Sequence, residues 1–405
     1  MKYRAAALLF IMAGILAHAV WIEGAPLALL AVLPALACRL SRRELVAAWW
    51  AGYYFVGLFP LAGATSDYFG GQAALGIAAW AGVSLVHCAT WTIGWAPPSA
   101  SALRRVAGML FALLATLAPP LGALGFLHPL LATGSLLPGS GFYGLALLTL
   151  AWCLLAAMPR RVAGSFRAPG GLLALGLAAC VAVGLGRLLP GNDPGPDSAT
   201  AARALSTRIQ PATTFEGLVE RVADMAARAR FEARAHPSML VFPETAVSEW
   251  RPATEQLVRS LLLPLSYQQP ILFGTILNRD QPERSNAVAI LERGEIAFFH
   301  QRQPVPLGMW APWSDDHFRA NWMLAGVTSV GHRSVVIHVC AEEFPLALSL
   351  LDFALAKPNL IVVLSNHWWS QDPIHDRIQE RHTEAVAQLF GVPYLRAVNR
   401  GPARP

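Results

Sequence analysis

The chain has 405 residues, 55% of them hydrophobic and only 14% charged. That balance excludes an ordinary soluble globule. The net charge of +6 is spread over loops between apolar runs, with no compact basic and aromatic platform of the kind that binds nucleic acid.

Residues 1 to about 190 are almost continuously apolar. Seven runs approach the length that crosses a bilayer: about 5–22, 24–38, 43–62, 74–95, 105–125, 141–159 and 170–190. The prolines at 119, 120, 129 and 138 mark 124–140 as a re-entrant or interfacial piece. Lys2 and Arg4 precede the first run; Arg39, Arg42 and Arg43 follow the second; Arg104 and Arg105 follow the fourth; Arg160, Arg161 and Arg167 follow the sixth. The alternate loops carry Glu23, Asp67 or no charge. This alternation predicts a cytoplasmic N-terminus and, after an odd number of spans, a second domain outside, which in a Gram-negative bacterium is the periplasm. The first run leads straight into another and reads as an anchor rather than a cleaved signal. Of the five cysteines, Cys38, Cys88, Cys153 and Cys180 lie in this half and only Cys340 in the other, so no disulfide framework is expected.

A Gly/Asn/Asp/Pro segment, 191–197, marks the exit, and 201–234 reads as helix. Branched, breaker-bounded strands follow at Met239–Phe242, Ile271–Leu277, Ala287–Leu291, Ile296–Phe299, Val335–Val339, Ile361–Leu364 and Pro393–Ala397. Helical stretches lie between them at about 253–265, 346–356 and 378–390, so a layered α/β domain over 192–405 is expected behind a transmembrane domain over 1–191. Two strand ends carry reactive groups. Glu244 follows Leu240-Val241-Phe242-Pro243, and Cys340 follows Val335-Val336-Ile337-His338-Val339. A carboxylate beside a thiol is a base beside a nucleophile; the alternative is that Cys340 is a small buried hydrophobe ending a core strand. Glu342 offers a second carboxylate.

These residues resemble the nitrilase, or carbon–nitrogen hydrolase, superfamily. Leu240–Ala246 resembles its first motif, Phe299–Gly308 the lysine motif, His338–Pro345 the nucleophile motif and Leu364–Trp369 the segment that follows it. Behind a multispan half, the whole chain is similar to apolipoprotein N-acyltransferase. The resemblance implies an αββα sandwich, Glu244 as base, Cys340 as thioester-forming nucleophile and Glu342 in support. The chain departs from that pattern in three places. The lysine position falls on Gln301, with Arg302 next to it on the opposite face of a strand. Met309 stands where those acyltransferases carry a glutamate, and a final span is missing after Arg400. The departures fit a divergent branch of the class associated with plasmid conjugal transfer.

Two readings stay open. One is a thiol enzyme that takes its acyl donor from membrane lipid. The other is an inactive nitrilase-fold scaffold that assists envelope or conjugation-apparatus proteins. Candidate substrate-binding residues are Gln301, Arg302, Trp310, His367 and Trp368. His338 reads as a core or supporting histidine, and Trp310 and Trp313 as interfacial. The remaining histidines form no ligand cluster, so no metal is expected, nor any other cofactor.

Overall fold

The computed structural model describes residues 2–158, 202–210, 212, 214–235, 238–278, 283–311, 313–314, 317–370 and 372–401. The chain divides into two compact units, Met1–Asp193 with Arg377–Gly391, and Pro194–Asp376 with Val392–Pro405. The boundary expected at 191/192 falls outside the described residues.

The described part of the first unit is helical: α1 (Lys2–Trp21), α2 (Val32–Ala37, behind a 3-10 turn at Leu27–Ala31), α3 (Arg43–Gly57), α4 (Pro60–Tyr68), α5 (Ala73–Gly94), α6 (Ala102–Leu117), α7 (Leu121–Leu124), α8 (Ala132–Leu136) and α9 (Gly141–Ala157). These lengths bear on six of the seven expected spans. Among the described residues only Tyr3–Trp21 and Ala73–Gly94 are long and apolar enough to cross a membrane, or three if α3 and α4, bent by 45°, form one span. Punctuation explains the shortfall. Residues 27–37 form one short apolar helix that starts after Pro26, and α6 stops at Leu117 ahead of Pro119 and Pro120, because a residue before proline is pushed out of the helical region. The expected span at 170–190, the linker at 191–197 and the arginines at 160, 161 and 167 lie outside the described residues.

Packing here follows membrane rules, with small residues where helices touch. A Cβ on Gly108 would sit 1.8 Å from the Gly94 carbonyl oxygen, so α5 and α6 meet backbone to backbone. Several buried aromatic tips find partners: Trp21 Nε1 donates to the Tyr53 hydroxyl at 3.1 Å, which donates to the Leu127 carbonyl at 2.9 Å, and Trp91 Nε1 donates to the Tyr54 hydroxyl at 2.9 Å. Arg105, read from sequence as a topology-setting loop charge, is buried, and its guanidinium donates to the Ala156 and Ala157 carbonyls, both at 2.7 Å. It caps the C-terminal end of α9, where the helix dipole favours a cation.

The second unit contains two sheets. The first runs β1 (Ala202–Ala204), β2 (Met239–Val241), β3 (Ile271–Leu277), β4 (Glu283–Glu292) and β5 (Glu295–His300), with β6 (His317–Phe318) against β4. Strands β1 to β3 are parallel; β4 and β5 are antiparallel additions. The second sheet runs β10 (Tyr394–Arg400), β9 (Leu360–His367), β8 (Arg333–Val339) and β7 (Val327–Val330), parallel except for the β7–β8 hairpin. One core is shared by both sheets: Met239, Val241, Leu272 and Val288 from the first, Val335, Ile337, Val362, Leu364 and Leu395 from the second. The alternate residues Leu240, Phe242, Ile271 and Phe273 face outward and pack with Val222, Met225 and Val258 of α10 (Phe215–Ala233) and α11 (Pro252–Leu261). On the outer face of the second sheet, Asp352 of α12 (Leu346–Leu355) meets His338 of β8. The order of layers is helix, sheet, sheet, helix, as the motifs imply. The last helix, α13 (Ile374–Phe390), lies with the first unit from Arg377 on.

Three strands escape a sequence reading. The expected helix at 201–234 is β1, a loop, and α10 alone, which begins where the Thr214 hydroxyl accepts from the Gly217 amide at 3.1 Å. β6 has two residues, and β7 is too polar to read as a strand.

Candidate active site

The parallel strands β2, β8 and β9 end at neighbouring points of the two sheets, and each is followed by a functional side chain. After β2, Phe242 and Pro243 carry the chain to Glu244, 5% exposed. Gly274 of β3 makes room for it, because a Cβ there would lie 2.5 Å from Glu244 Cα. After β8 the backbone turns at Cys340 into a 3-10 turn, Cys340–Glu343. Cys340 has φ +49° and Thr245, beside Glu244, has φ +53°. Left-handed backbone at non-glycine residues is costly and concentrates at functional sites.

The carboxyl of Glu244 and the thiol of Cys340 are hydrogen-bonded to each other, and the backbone of Asn366 bonds to both. Asn286 of β4 donates from Nδ2 to Glu244 Oε1 at 2.6 Å. Asn366 of β9 donates to the Thr245 hydroxyl at 2.9 Å. Burial pushes the Glu244 carboxyl up to about 7, against the pull of its Asn286 and Cys340 contacts. Burial, with Glu244 adding its charge, holds the Cys340 thiol well above its ordinary range. Carboxylate and thiol compete for one proton in a desolvated pocket, so a base sits in contact with the nucleophile it would activate.

Gln301 lies immediately after β5 and joins this network. Its Oε1 accepts from Asn286 Nδ2 at 3.1 Å, and its Nε2 donates to the Val339 carbonyl at 2.8 Å. A neutral amide thus ties the first sheet to the nucleophile strand at the position where the motif has a cation. Arg302, considered from sequence as a source of charge and of substrate contact, is turned away. It is fully buried and makes two parallel bonds to Asp352, at 2.7 and 2.8 Å. The backbone bends just after β5, at Arg302 and Gln303, and the two neighbouring side chains face opposite layers.

Glu342 is buried beneath the same turn. Its carboxyl accepts from the amides of Arg302, of Gln303 at 3.0 Å and of Val339 at 2.8 Å. Three backbone donors make it a clamp between the segment after β5 and the nucleophile turn. Burial raises its affinity for a proton, opposed by Arg302 and His338. His338 Nε2 lies 3.5 Å from Asp352 Oδ2, on the side of the sheet away from the core that holds Cys340. Trp310 is half-buried on a turn whose amide donates to the Val305 carbonyl at 3.0 Å. Trp313 is strongly exposed. His367, at the end of β9, is buried beside Asp376, and Trp368, half-buried, donates its amide to the Asn366 side chain at 3.2 Å.

The geometry adds residues that a motif reading did not single out. Asn286 bonds Glu244 directly, yet it lies in a plain strand and carries no local signal. Asn366 stands inside the quoted Leu364–Trp369 segment and was legible there. Asp352 lies in an otherwise apolar helix, and nothing in its local sequence names its buried cationic partner. Among the described residues no group of three or more His, Cys, Asp or Glu is arranged to hold a metal ion.

No family model matches the chain. It is 27% identical over 379 residues to the conjugal transfer protein TraB of Agrobacterium fabrum, covering 86% of this chain and 82% of that protein. It is likewise 27% identical over 377 residues to the probable conjugal transfer protein TraB of Sinorhizobium fredii, covering 90% of both. Among solved structures it is similar to an amidase of the nitrilase superfamily from Nesterenkonia, with a TM-score of 0.37 and 16% identity over 50% of this chain and 76% of that one. A carbon–nitrogen hydrolase of Helicobacter pylori gives a TM-score of 0.36 and 14% identity over 49% and 72%.

Proposed function

We propose that this chain is a membrane-anchored protein of plasmid conjugal transfer whose second unit carries out thiol-dependent acyl transfer or amide cleavage at the periplasmic face of the bacterial inner membrane. The contact between Glu244 and Cys340 carries the chemical part of this reading. The similarity to two conjugal transfer proteins supports the process, and the alternation of arginine-bearing loops supports the side of the membrane.

The steps follow from the dyad. Glu244 takes the proton of the Cys340 thiol as sulfur bonds to the carbonyl carbon of an ester or amide. The tetrahedral adduct collapses, the carbon–oxygen or carbon–nitrogen bond breaks, and Glu244 returns its proton to the leaving group. An amine or water then attacks the thioester and gives its proton to Glu244. The carbon–sulfur bond breaks, and the thiol recovers that proton. A carboxyl near neutrality suits both the acceptance and the return. Glu342 and Asn286 hold the two partners in register, and a membrane lipid is the acyl donor that the anchored setting favours.

The experiment is the intact mass of the full chain purified in detergent from a lipid-containing membrane, beside Cys340→Ser. A hydroxylamine-sensitive acyl adduct on the wild type, absent from the variant, supports the enzyme. One observation favours a second reading, a scaffold that assists the conjugation apparatus: Gln301 leaves the dyad without the charged donor that stabilises an oxyanion, worth several kcal/mol in such sites. No adduct, together with an unchanged conjugation frequency for Cys340→Ser, selects the scaffold.

A further inference from the structure

Gln301 acts on the dyad through the direction of its amide as well as through its missing charge. Its Nε2 donates to the Val339 carbonyl at 2.8 Å, so the amide cannot turn over without setting oxygen against oxygen. Its Oε1 is thereby held toward Asn286, where only a donor can meet it. Asn286 meets it with Nδ2, which donates to Gln301 Oε1 at 3.1 Å and to Glu244 Oε1 at 2.6 Å. Both N–H bonds of Asn286 are occupied, and turning that amide would place its oxygen against the oxygen of Gln301. A cation at 301 would impose the opposite orientation, drawing the Asn286 oxygen to itself.

This orientation leaves one atom over. Asn286 is 1% exposed, and its Oδ1 has no hydrogen-bond partner. A buried carbonyl oxygen without a donor carries a real cost, so its retention calls for a reason. Its position supplies one. It shares a carbon with the nitrogen that touches Glu244. Along β4, Asn286 alternates in step with Val288 and Ile290, which belong to the same core as Cys340. By contrast, the side-chain oxygen of Asn366 accepts from the Trp368 amide at 3.2 Å and from Asn399 at 3.1 Å.

We propose that Asn286 Oδ1 is a specificity-determining acceptor, taking a hydrogen bond from an N–H of the substrate group that enters or leaves beside Glu244. The inference rests on the reading of Glu244 and Cys340 as a working dyad. An amide nitrogen that receives a proton from Glu244, or a primary amine that gives one, still has a hydrogen for Asn286. An ester oxygen or a fully alkylated nitrogen has none, and would leave the buried oxygen facing a group that cannot donate.

The test is the rate at which Cys340 is alkylated by iodoacetamide and by 2-iodo-N,N-dimethylacetamide, on the full chain in detergent, with Cys340→Ser as the blank. The readout is the ratio of the two rates. Asn286→Leu, which keeps the bulk and removes the acceptor, lowers that ratio about three- to tenfold relative to wild type, as the loss of one hydrogen bond does. If Asn286 only holds Glu244 in place, the variant slows both reagents alike, the ratio stays at its wild-type value, and the proposal is overturned. Should Asn286→Leu fail to fold, the wild type carries the test, with rates normalised to those of glutathione. The monomethyl reagent, which keeps one N–H, then reacts like iodoacetamide, and the dimethyl reagent falls about three- to tenfold below both. Equal normalised rates for all three overturn the proposal. Alkylation requires no turnover, so failure here is separable from failure to form an acyl adduct.

Discussion

Replacing Glu244 by glutamine should stabilise this protein while abolishing its thiol chemistry, and the gain should depend on pH. The buried carboxyl titrates at about 7, against an ordinary 4.5. Between those values the folded state binds more protons than the unfolded one, so stability falls as pH rises through that window and is flat above it. The whole interval corresponds to about 3 kcal/mol, an upper figure that relaxation around the site reduces. Glutamine keeps the side-chain shape and the oxygen that accepts from Asn286 at 2.6 Å, but it never ionises. Measured by tryptophan fluorescence in detergent, the apparent thermal midpoint of Glu244→Gln should match the wild type near pH 5. It should exceed the wild type by several degrees at pH 8, since about 1 kcal/mol moves a midpoint by ~2–4 °C in a domain of this size. The thiol contributes nothing to the difference, because it titrates above the window in the folded chain. Parallel midpoint curves for the two proteins across pH 5–8 would refute the argument, and with it the picture of a desolvated base.

Asp352→Asn leaves Arg302 buried with half its pairing gone and should cost about 3–5 kcal/mol, read as loss of folded protein or a lower unfolding midpoint. The double variant Asp352→Asn with Arg302→Met removes the stranded charge and should recover most of that loss; no recovery counts against the pairing. Gln301→Lys places an ammonium beside the dyad and should move Cys340 alkylation to lower pH. An unmoved profile would mean that the side chain at 301 does not reach the electrostatics of the site.

Seven of the strands were legible because their branched residues form short runs between breakers, and Ile271–Leu277 coincides with β3. β7 was missed because Val327–Val330 holds Thr and Ser between its valines, although Gly331-His332 after it joins it to β8 as a two-residue hairpin with Gly331 at φ +60°. In the first unit, apolar composition carried over, but hydropathy counts residues and does not see that the helix after Pro26 starts only at Leu27 or that α6 ends at Leu117 ahead of Pro119. Arg105 shows the limit of a charge rule: whether an arginine sits in a loop or caps a neighbouring helix is settled only by tertiary structure. At the site, Glu244 and Cys340 were visible at strand ends. Asn286 and Asp352 were not, since each acts through a partner 42 and 50 residues away, respectively.

Gln301 places a neutral amide rather than a cation beside the dyad. An ammonium in that position would favour carboxylate and thiolate together. The amide instead spends its two polar atoms on Asn286 and the Val339 carbonyl, and hydrogen bonds between neutral groups are about half as strong as charge-assisted ones. Burial therefore prevails at both groups, raising the carboxyl and the thiol alike. A thiol kept protonated is a slow nucleophile and a slow target for oxidants.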